Sequence, residues 1–224
     1  MKNTSRPSEI KWDIQYLRTI KFVAVLFSFF LINNYVSAQE FPSEVFHPGT
    51  AILEGDKRVS GKLKYDLDNN IIQVINNGVV HTYTAQKVIF FIIEDQVLGI
   101  TRKFYSLPYA ETNYQTMMFF ELLVEGDLTL LGREYIDTRT TSANNYYYYR
   151  NYWVESYVLR TSFYFLKKGG EIKFFTPKKR ELLDLVMADR SNEIKQFIKK
   201  RRFDIEKPDD LIAVTKFYNS LNEQ

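Results

Sequence analysis

The chain has no cysteine, only two histidines and two tryptophans, and nine glycines in 224 residues. Without cysteine there is no disulfide framework, no thiol nucleophile and no thiolate ligand for a metal. An exported chain of this composition also has no cysteine to carry a lipid at a cleavage site. His47 and His81 stand thirty-four residues apart, with no second ligand at a spacing that would share a strand face or a helix turn. A designed zinc site announces itself by such spaced pairs, so no metal ligand is assigned. No Gly-x-Ser-x-Gly elbow occurs, and Gly49, Gly55 and Gly61 lie in strand and turn context with no helix behind them to receive a phosphate. No catalytic residue and no cofactor is expected.

Long apolar runs are also scarce. The one run of note is "FVAVLFSFFLI", Phe22 to Ile32, preceded by Lys11, Arg18 and Lys21 and followed by the small residues Val36 and Ala38. A basic stretch, a short apolar stretch and a small-residue cut site make the layout of a secretory signal peptide covering residues 1–38. Eleven residues rise only about 16 Å as a helix, roughly half a bilayer's hydrocarbon core, so a spanning anchor is the alternative and cleavage the expectation. The long stretch before the run, with Trp12 and Asp13, fits a start codon assigned too far upstream as well as an uncleaved anchor.

Charge of one sign is missing once the leader is set aside. Residues 1–38 hold five basic and two acidic side chains, so the excess of 30 over 27 in the whole chain becomes 25 against 25. A neutral, exported chain lacks the basic excess of a protein that competes for phosphate backbones, and nucleic acid is not expected as a partner. The expected location is periplasmic or secreted, with no integral membrane span after cleavage.

What is present is β-structure followed by helices. "RVSGKLKYD" sets Val59, Gly61, Leu63 and Tyr65 against polar neighbours at period two, and Asn77-Gly78 between two β-rich runs predicts a type I′ hairpin. Another hairpin is expected around Glu94-Asp95-Gln96, stopped by Pro108, and a further one closing on Lys167-Lys168-Gly169-Gly170. "AILEGDKRVSGKLKYD" and "LLVEGDLTLLGREYID" align without gaps, which reads as reuse of one hairpin geometry or as an old duplication. After Phe175 the period lengthens. Thr176-Pro177 predicts a helix start, Ser191 a second, and "KPDDLIAVTKFYNSL" a third. These helices are amphipathic, so they must dock, and the sheet is the nearest apolar surface. The fold class is α+β: an antiparallel β-meander or roll of about ten strands over residues 39–175, then a tail of two or three amphipathic helices over 176–224 packed on it in the same folding unit.

"VSGKLKYDLDNNIIQV", "TYTAQKVIFF", "RKFYSLPY", "FFELLVEGDLTLLGREYI" and the closing "FYNSL" resemble a family of uncharacterised exported proteins of Gram-negative bacteria. The resemblance spans roughly Val45 to Leu221 outside the tyrosine segment. It implies export and a β-rich fold, and no activity, substrate or catalytic residue.

Three features carry what chemistry the sequence offers. From Ser142 to Arg160, "SANNYYYYRNYWVESYVLR" packs six tyrosines and a tryptophan into nineteen residues. Trp153, Tyr157, Leu159, Phe163 and Phe165 share one parity, which reads as a core face, while Tyr146, Tyr147, Tyr148 and Tyr149 adjoin a polar, turn-like stretch at a rim. Tyr146 to Tyr149 with Tyr152 and Trp153 are the candidate ligand-binding residues, suited to an envelope glycan or a protein partner. The second feature is carboxylates: Glu94, Asp95, Glu121 and Glu155 are where a pair about 5 or 9 Å apart could cut a glycosidic bond, whereas Glu54, Asp56, Glu125 and Asp127 read as solvated turn formers. The third is a basic run from Lys167 to Arg202, twelve basic residues against five acidic, which offers weak contact with anionic surfaces or the solvated ends of helices. The function expected is a non-enzymatic binding or structural module of the cell envelope. The alternatives are a glycan-directed hydrolase and self-assembly through a tyrosine-rich edge strand.

Overall fold

Alternation of apolar and polar side chains builds ten strands: β1 (His47–Leu53), β2 (Arg58–Asp66), β3 (Ile71–Asn76), β4 (Val79–Thr84), β5 (Val88–Asp95), β6 (Ile100–Ala110), β7 (Gln115–Val124), β8 (Leu128–Asn145), β9 (Arg150–Lys167) and β10 (Ile172–Phe175). They come from a computed structural model of the chain, which describes residues 40–110, 114–145 and 150–222. The leader, residues 1–38, and Tyr146–Tyr149 lie outside the described residues. All pairings are antiparallel, in the order β10-β9-β8-β7-β6-β5-β1-β2-β3-β4. Among the described residues three α-helices follow, α1 (Lys179–Glu181), continued by a π-helical turn over Leu182–Val186 and a 3-10 turn over Ala188–Arg190, then α2 (Ser191–Arg201) and α3 (Pro208–Asn222). The α+β meander with a C-terminal helical tail is the fold.

Local expectations and structure differ in three places. Pro108 does not stop β6; it pairs with Met117 of β7, while β5 follows β6 only as far as Tyr105, so the missing N–H falls where the opposite edge has no strand partner. The first helix starts at Lys179 and not at Pro177, because Phe175 is still paired with Phe163 and the chain needs three residues to leave the sheet. The two aligned turns close hairpins at corresponding places, yet their tips differ. Gly55 and Asp56 both take left-handed angles, φ 76° and 58°, whereas Gly126 sits at φ 159° with the Asn219 side chain where a Cβ would stand. The Asn77-Gly78 turn has positive φ at both residues, 50° and 79°, as a type I′ hairpin needs.

The sheet curls. Tyr65 on β2 donates a 2.8 Å hydrogen bond to Glu134 on β8, although four strands lie between them in the order. Curling is possible because β7 and β8 part company: they pair only between Glu121–Val124 and Leu130–Gly132, after which β7 stays with β6 and β8 with β9. The β2–β3 turn fills the fork. Asn70 Oδ1 accepts the Phe119 N–H at 3.1 Å and an Arg133 N–H at 3.0 Å, and the same guanidinium donates to the carbonyls of Phe119 and Leu67. A side-chain acceptor, Asn70 Oδ1, and a side-chain donor, the Arg133 guanidinium, thus stand in for the strand pairing that the fork gives up.

Inside the curl lies a core of Leu63, Tyr65, Ile72, Val74, Phe91, Ile93, Phe104 and Phe119, all fully buried. Phe91 stacks on Phe104 at 4.6 Å between centroids and meets Phe119 edge-on at 5.2 Å. Each such ring contributes roughly 2 kcal/mol by burial. A second core forms where Leu182, Met187, Ile194, Ile198, Leu211, Val214 and Tyr218 of the helical tail cover Leu128, Leu130, Phe163, Phe165 and Phe175. Asn219 fixes that docking. Its carbonyl oxygen accepts the Leu128 N–H and its amide donates to the Leu128 carbonyl, both at 3.0 Å, as a neighbouring strand would.

Candidate functional site

The β8–β9 hairpin is far longer than the sheet it belongs to. Its two strands pair without interruption from Leu128↔Lys167 to Asn145↔Arg150. Among the described residues only the base is flanked, by β7 along Leu130–Gly132 on one side and by β10 along Phe163–Leu166 on the other. Beyond the base, Arg133–Asn145 and Arg150–Ser162 form a two-stranded arm that spans roughly 40 Å at about 3.4 Å per residue.

Alternation puts Leu128, Leu130, Gly132, Glu134 and Ile136 of β8 on the inner face, opposite Lys167, Phe165, Phe163, Thr161 and Leu159 of β9, with Tyr157 and Trp153 continuing the row. The shared parity of Trp153, Tyr157, Leu159, Phe163 and Phe165 therefore holds as a shared face. Its expected burial does not. Phe163 and Phe165 are covered by the helices at 2% and 1% exposure, whereas Tyr157 and Trp153 stand on the arm at 51% and 71%. Ile136 and Tyr135 are exposed as well. Of the six candidate binding residues, Tyr146–Tyr149 lie outside the described residues, Tyr152 is placed on the arm by its backbone, and Trp153 is open to solvent. On the arm's outer face Asp137 takes a 2.7 Å ion pair from Arg160.

At the root of the arm lies a buried constellation. Arg102 on β6 uses all five of its N–H groups: Nε and Nη2 hold Glu121 at 2.7 and 2.6 Å, Nη2 also reaches Glu134 at 2.8 Å, and Nη1 donates to Asp95 at 2.9 Å and to the Tyr65 hydroxyl at 2.8 Å. The guanidinium lies over the Phe104 ring, 5.0 Å from its centroid. Asp95 also accepts the N–H groups of Val97 and Leu98, which ties the β5–β6 turn to the cluster. His47 accepts the Gln96 N–H at Nδ1 and contacts the Pro42 carbonyl through Nε2 at 2.7 Å, so it is an Nε2–H tautomer with a structural role.

The electrostatics follow from three carboxylates facing one guanidinium. Burial pushes the Glu134 carboxyl up, and the nearby Arg102 charge and the Tyr65 hydrogen bond reduce that rise without cancelling it. Burial acts on Asp95 in the same direction but is outweighed by the Leu98 and Val97 N–H groups and by Arg102, so that carboxyl stays below its ordinary range. Burial likewise opposes the charge on Arg102, yet Glu121 and its neighbours hold its pKa above the ordinary value, and Tyr65 is held protonated by its burial. Glu134 borders a solvent-open cleft of about 470 Å³ with Tyr65, Asp66, Asp68, Ile136 and Leu159.

The four carboxylates considered for glycan cleavage do not form one group, and the two that come together are engaged by Arg102. Asp95 and Glu121 meet at Arg102, where hydrogen bonds occupy them; Glu94 bonds Thr101 on the surface; Glu155 is exposed on the arm opposite Thr140. Glu134, Arg102 and Tyr65 were missed as a group. The signal was a charged residue on a core parity: Glu134 follows Leu128, Leu130 and Gly132 at period two, and Arg102 precedes Phe104. The basic run is partly paired, Lys168 with Asp127, Arg180 with Asp184 and Arg190 with Glu193, while Lys195, Lys199, Lys200 and Arg201 line the exposed side of α2. Among the described residues no group of three histidine or acidic side chains is arranged to hold a metal ion, and no helix is long and apolar enough to cross a membrane. No protein-family model, curated protein or solved structure matches the chain.

Proposed function

We propose that this chain is an exported, non-enzymatic binding module of the cell envelope whose contact element is the β8–β9 arm. The supporting observation is the open inner face of that arm, where Trp153 and Tyr157 stand exposed at the far end of a row whose near end is core. Large rings on an unflanked ribbon cost solvation that a free monomer gains nothing from, and they supply contact area with few rotatable bonds. The curled core and the Arg102 cluster give the arm a rigid root. The leader-like segment before Ala38 supports export, and the cations along α2 add a weak bias toward anionic surfaces.

The test compares the protein with a Trp153→Ser/Tyr157→Ser variant in co-sedimentation with isolated envelope, then separately with purified peptidoglycan and with extracted envelope proteins. Wild type is retained and the variant's bound fraction falls about tenfold, as expected for two interface rings at 0.5 to 1 kcal/mol or more each. Equal retention of both proteins would rule out the arm as the contact element.

A further inference from the structure

Among the described residues the outer edge of β9 is free along most of the arm: β8 covers one side throughout, β10 covers the other only from Phe163 to Leu166, and no described strand pairs with the stretch from Arg150 to Ser162. We propose that this edge is the contact between two copies of the chain, joined antiparallel about a two-fold axis at Ser156 so that two arms make a four-stranded ribbon. The inference rests on the arm being the contact element and names its partner.

Charge and register select both the edge and the axis. Antiparallel pairing that continues a sheet keeps like faces together, so residues opposite each other share parity. Ser156 is the midpoint of the thirteen-residue edge from Arg150 to Ser162, and a two-fold there pairs the whole of it. In that register Trp153 comes opposite Leu159 of the second copy, Glu155 opposite Tyr157, Arg160 opposite Tyr152 and Arg150 opposite Ser162. No like charges oppose. The exposed Trp153 ring gains an apolar neighbour, and the row Ile136, Leu159, Trp153 becomes continuous across both copies. Shifting the axis by one residue to Glu155 sets that carboxylate against itself and Arg150 against Arg160, which cross-strand pairing disfavours. The other free edge fails the same criterion. On β8 the stretch from Arg133 to Asn145 has Arg139 at its midpoint, so full overlap would oppose two guanidinium groups. A free strand edge with exposed apolar side chains is a template for pairing, and a closed two-fold consumes it without leaving an edge for further growth along β9.

Because the chain has no cysteine, single substitutions report the register cleanly. Residues directly opposite in an antiparallel pair lie about 4.5 to 5.5 Å apart at Cα, within the range a disulfide spans. The experiment takes the protein expressed from its full sequence, purified, with Ser156→Cys, Val158→Cys and Arg139→Cys made singly. The expected result is a mass twice that of one chain at roughly 50 µM, in the ordinary micromolar range of such interfaces. Under mild oxidation Ser156→Cys cross-links rapidly. Val158→Cys does so at least tenfold more slowly, its two copies being four residues or about 13 Å apart in this register. Trp153→Ser/Tyr157→Ser weakens dimerisation about tenfold. A single-chain mass at all concentrations, equal cross-linking through positions 156 and 158, or preferential cross-linking through position 139 would each overturn the proposal. A monomer still retained by envelope rejects the dimer and spares the binding role; a dimer that envelope ignores does the reverse.

Discussion

The two halves of the β8–β9 hairpin carry the same alternation and differ in everything around it. At the base, Phe163 and Phe165 face the inner side under the helical tail; on the arm, Tyr157 and Trp153 face the same side and remain exposed. Residue type and parity are alike, so what separates a core position from a contact position is cover, supplied here by the helical tail that follows β10 in the chain. Period two reports which face a side chain takes, and only tertiary structure reports whether that face is roofed.

The sharpest way to expose that difference is to delete one ring from each half. Phe165→Ala is expected to cost about 3 to 5 kcal/mol in urea unfolding, as for other buried rings, whereas Trp153→Ala leaves stability within about 0.5 kcal/mol. Comparable losses at both sites would mean that the arm is covered after all. Next is the root of the arm. Arg102→Leu strands three carboxylates in a buried site and should destabilise by roughly 3 to 5 kcal/mol, with urea midpoints as the readout. Smaller is the seam between roof and base: Asn219→Ala removes both bonds to Leu128 and is expected to cost about 1 to 3 kcal/mol, together with faster amide exchange at Leu128 than at Phe104.

The smallest effect is in pH dependence, and its sign differs between two acids of one cluster. Glu134 has its folded pKa raised, so its contribution is fully present below the ordinary glutamate value and is lost as pH climbs through the folded value. Asp95 has its folded pKa lowered, so its contribution is present above the ordinary aspartate value and is lost as pH falls through the folded one. Glu134→Gln should therefore flatten stability against pH above the ordinary carboxylate range while leaving the acid-side loss in place. Urea midpoints from pH 3 to 8 decide it; a flattened acid side with an unchanged upper side would contradict this account of the cluster.

Strands were legible in the sequence because their signals are local: period two in β2, Asn77-Gly78 for a I′ hairpin, spacings of three and four in α3. The curl was not legible. It depends on Asn70 and Arg133 filling a fork between strands whose sequences give no sign of parting. The arm's extent was hidden for a related reason, since nothing within Arg150–Lys167 marks where β10 stops pairing. Glu134 could have been found, as a charge on the parity of Leu128 and Leu130. Arg102 stood out in the same way beside Phe104, but that these two charges, thirty-two residues and two strands apart, meet could not be read.

His47 has one further consequence, and it is mechanical. Its ring bridges the Pro42 carbonyl and the Gln96 amide just where the chain enters β1, and β1 lies between β2 and β5 with a partner on each edge. Tension applied at Glu40 along the strand would load two rows of hydrogen bonds at once in shear, whereas β10, an outermost strand of the sheet, has a single neighbour from which it can be peeled bond by bond.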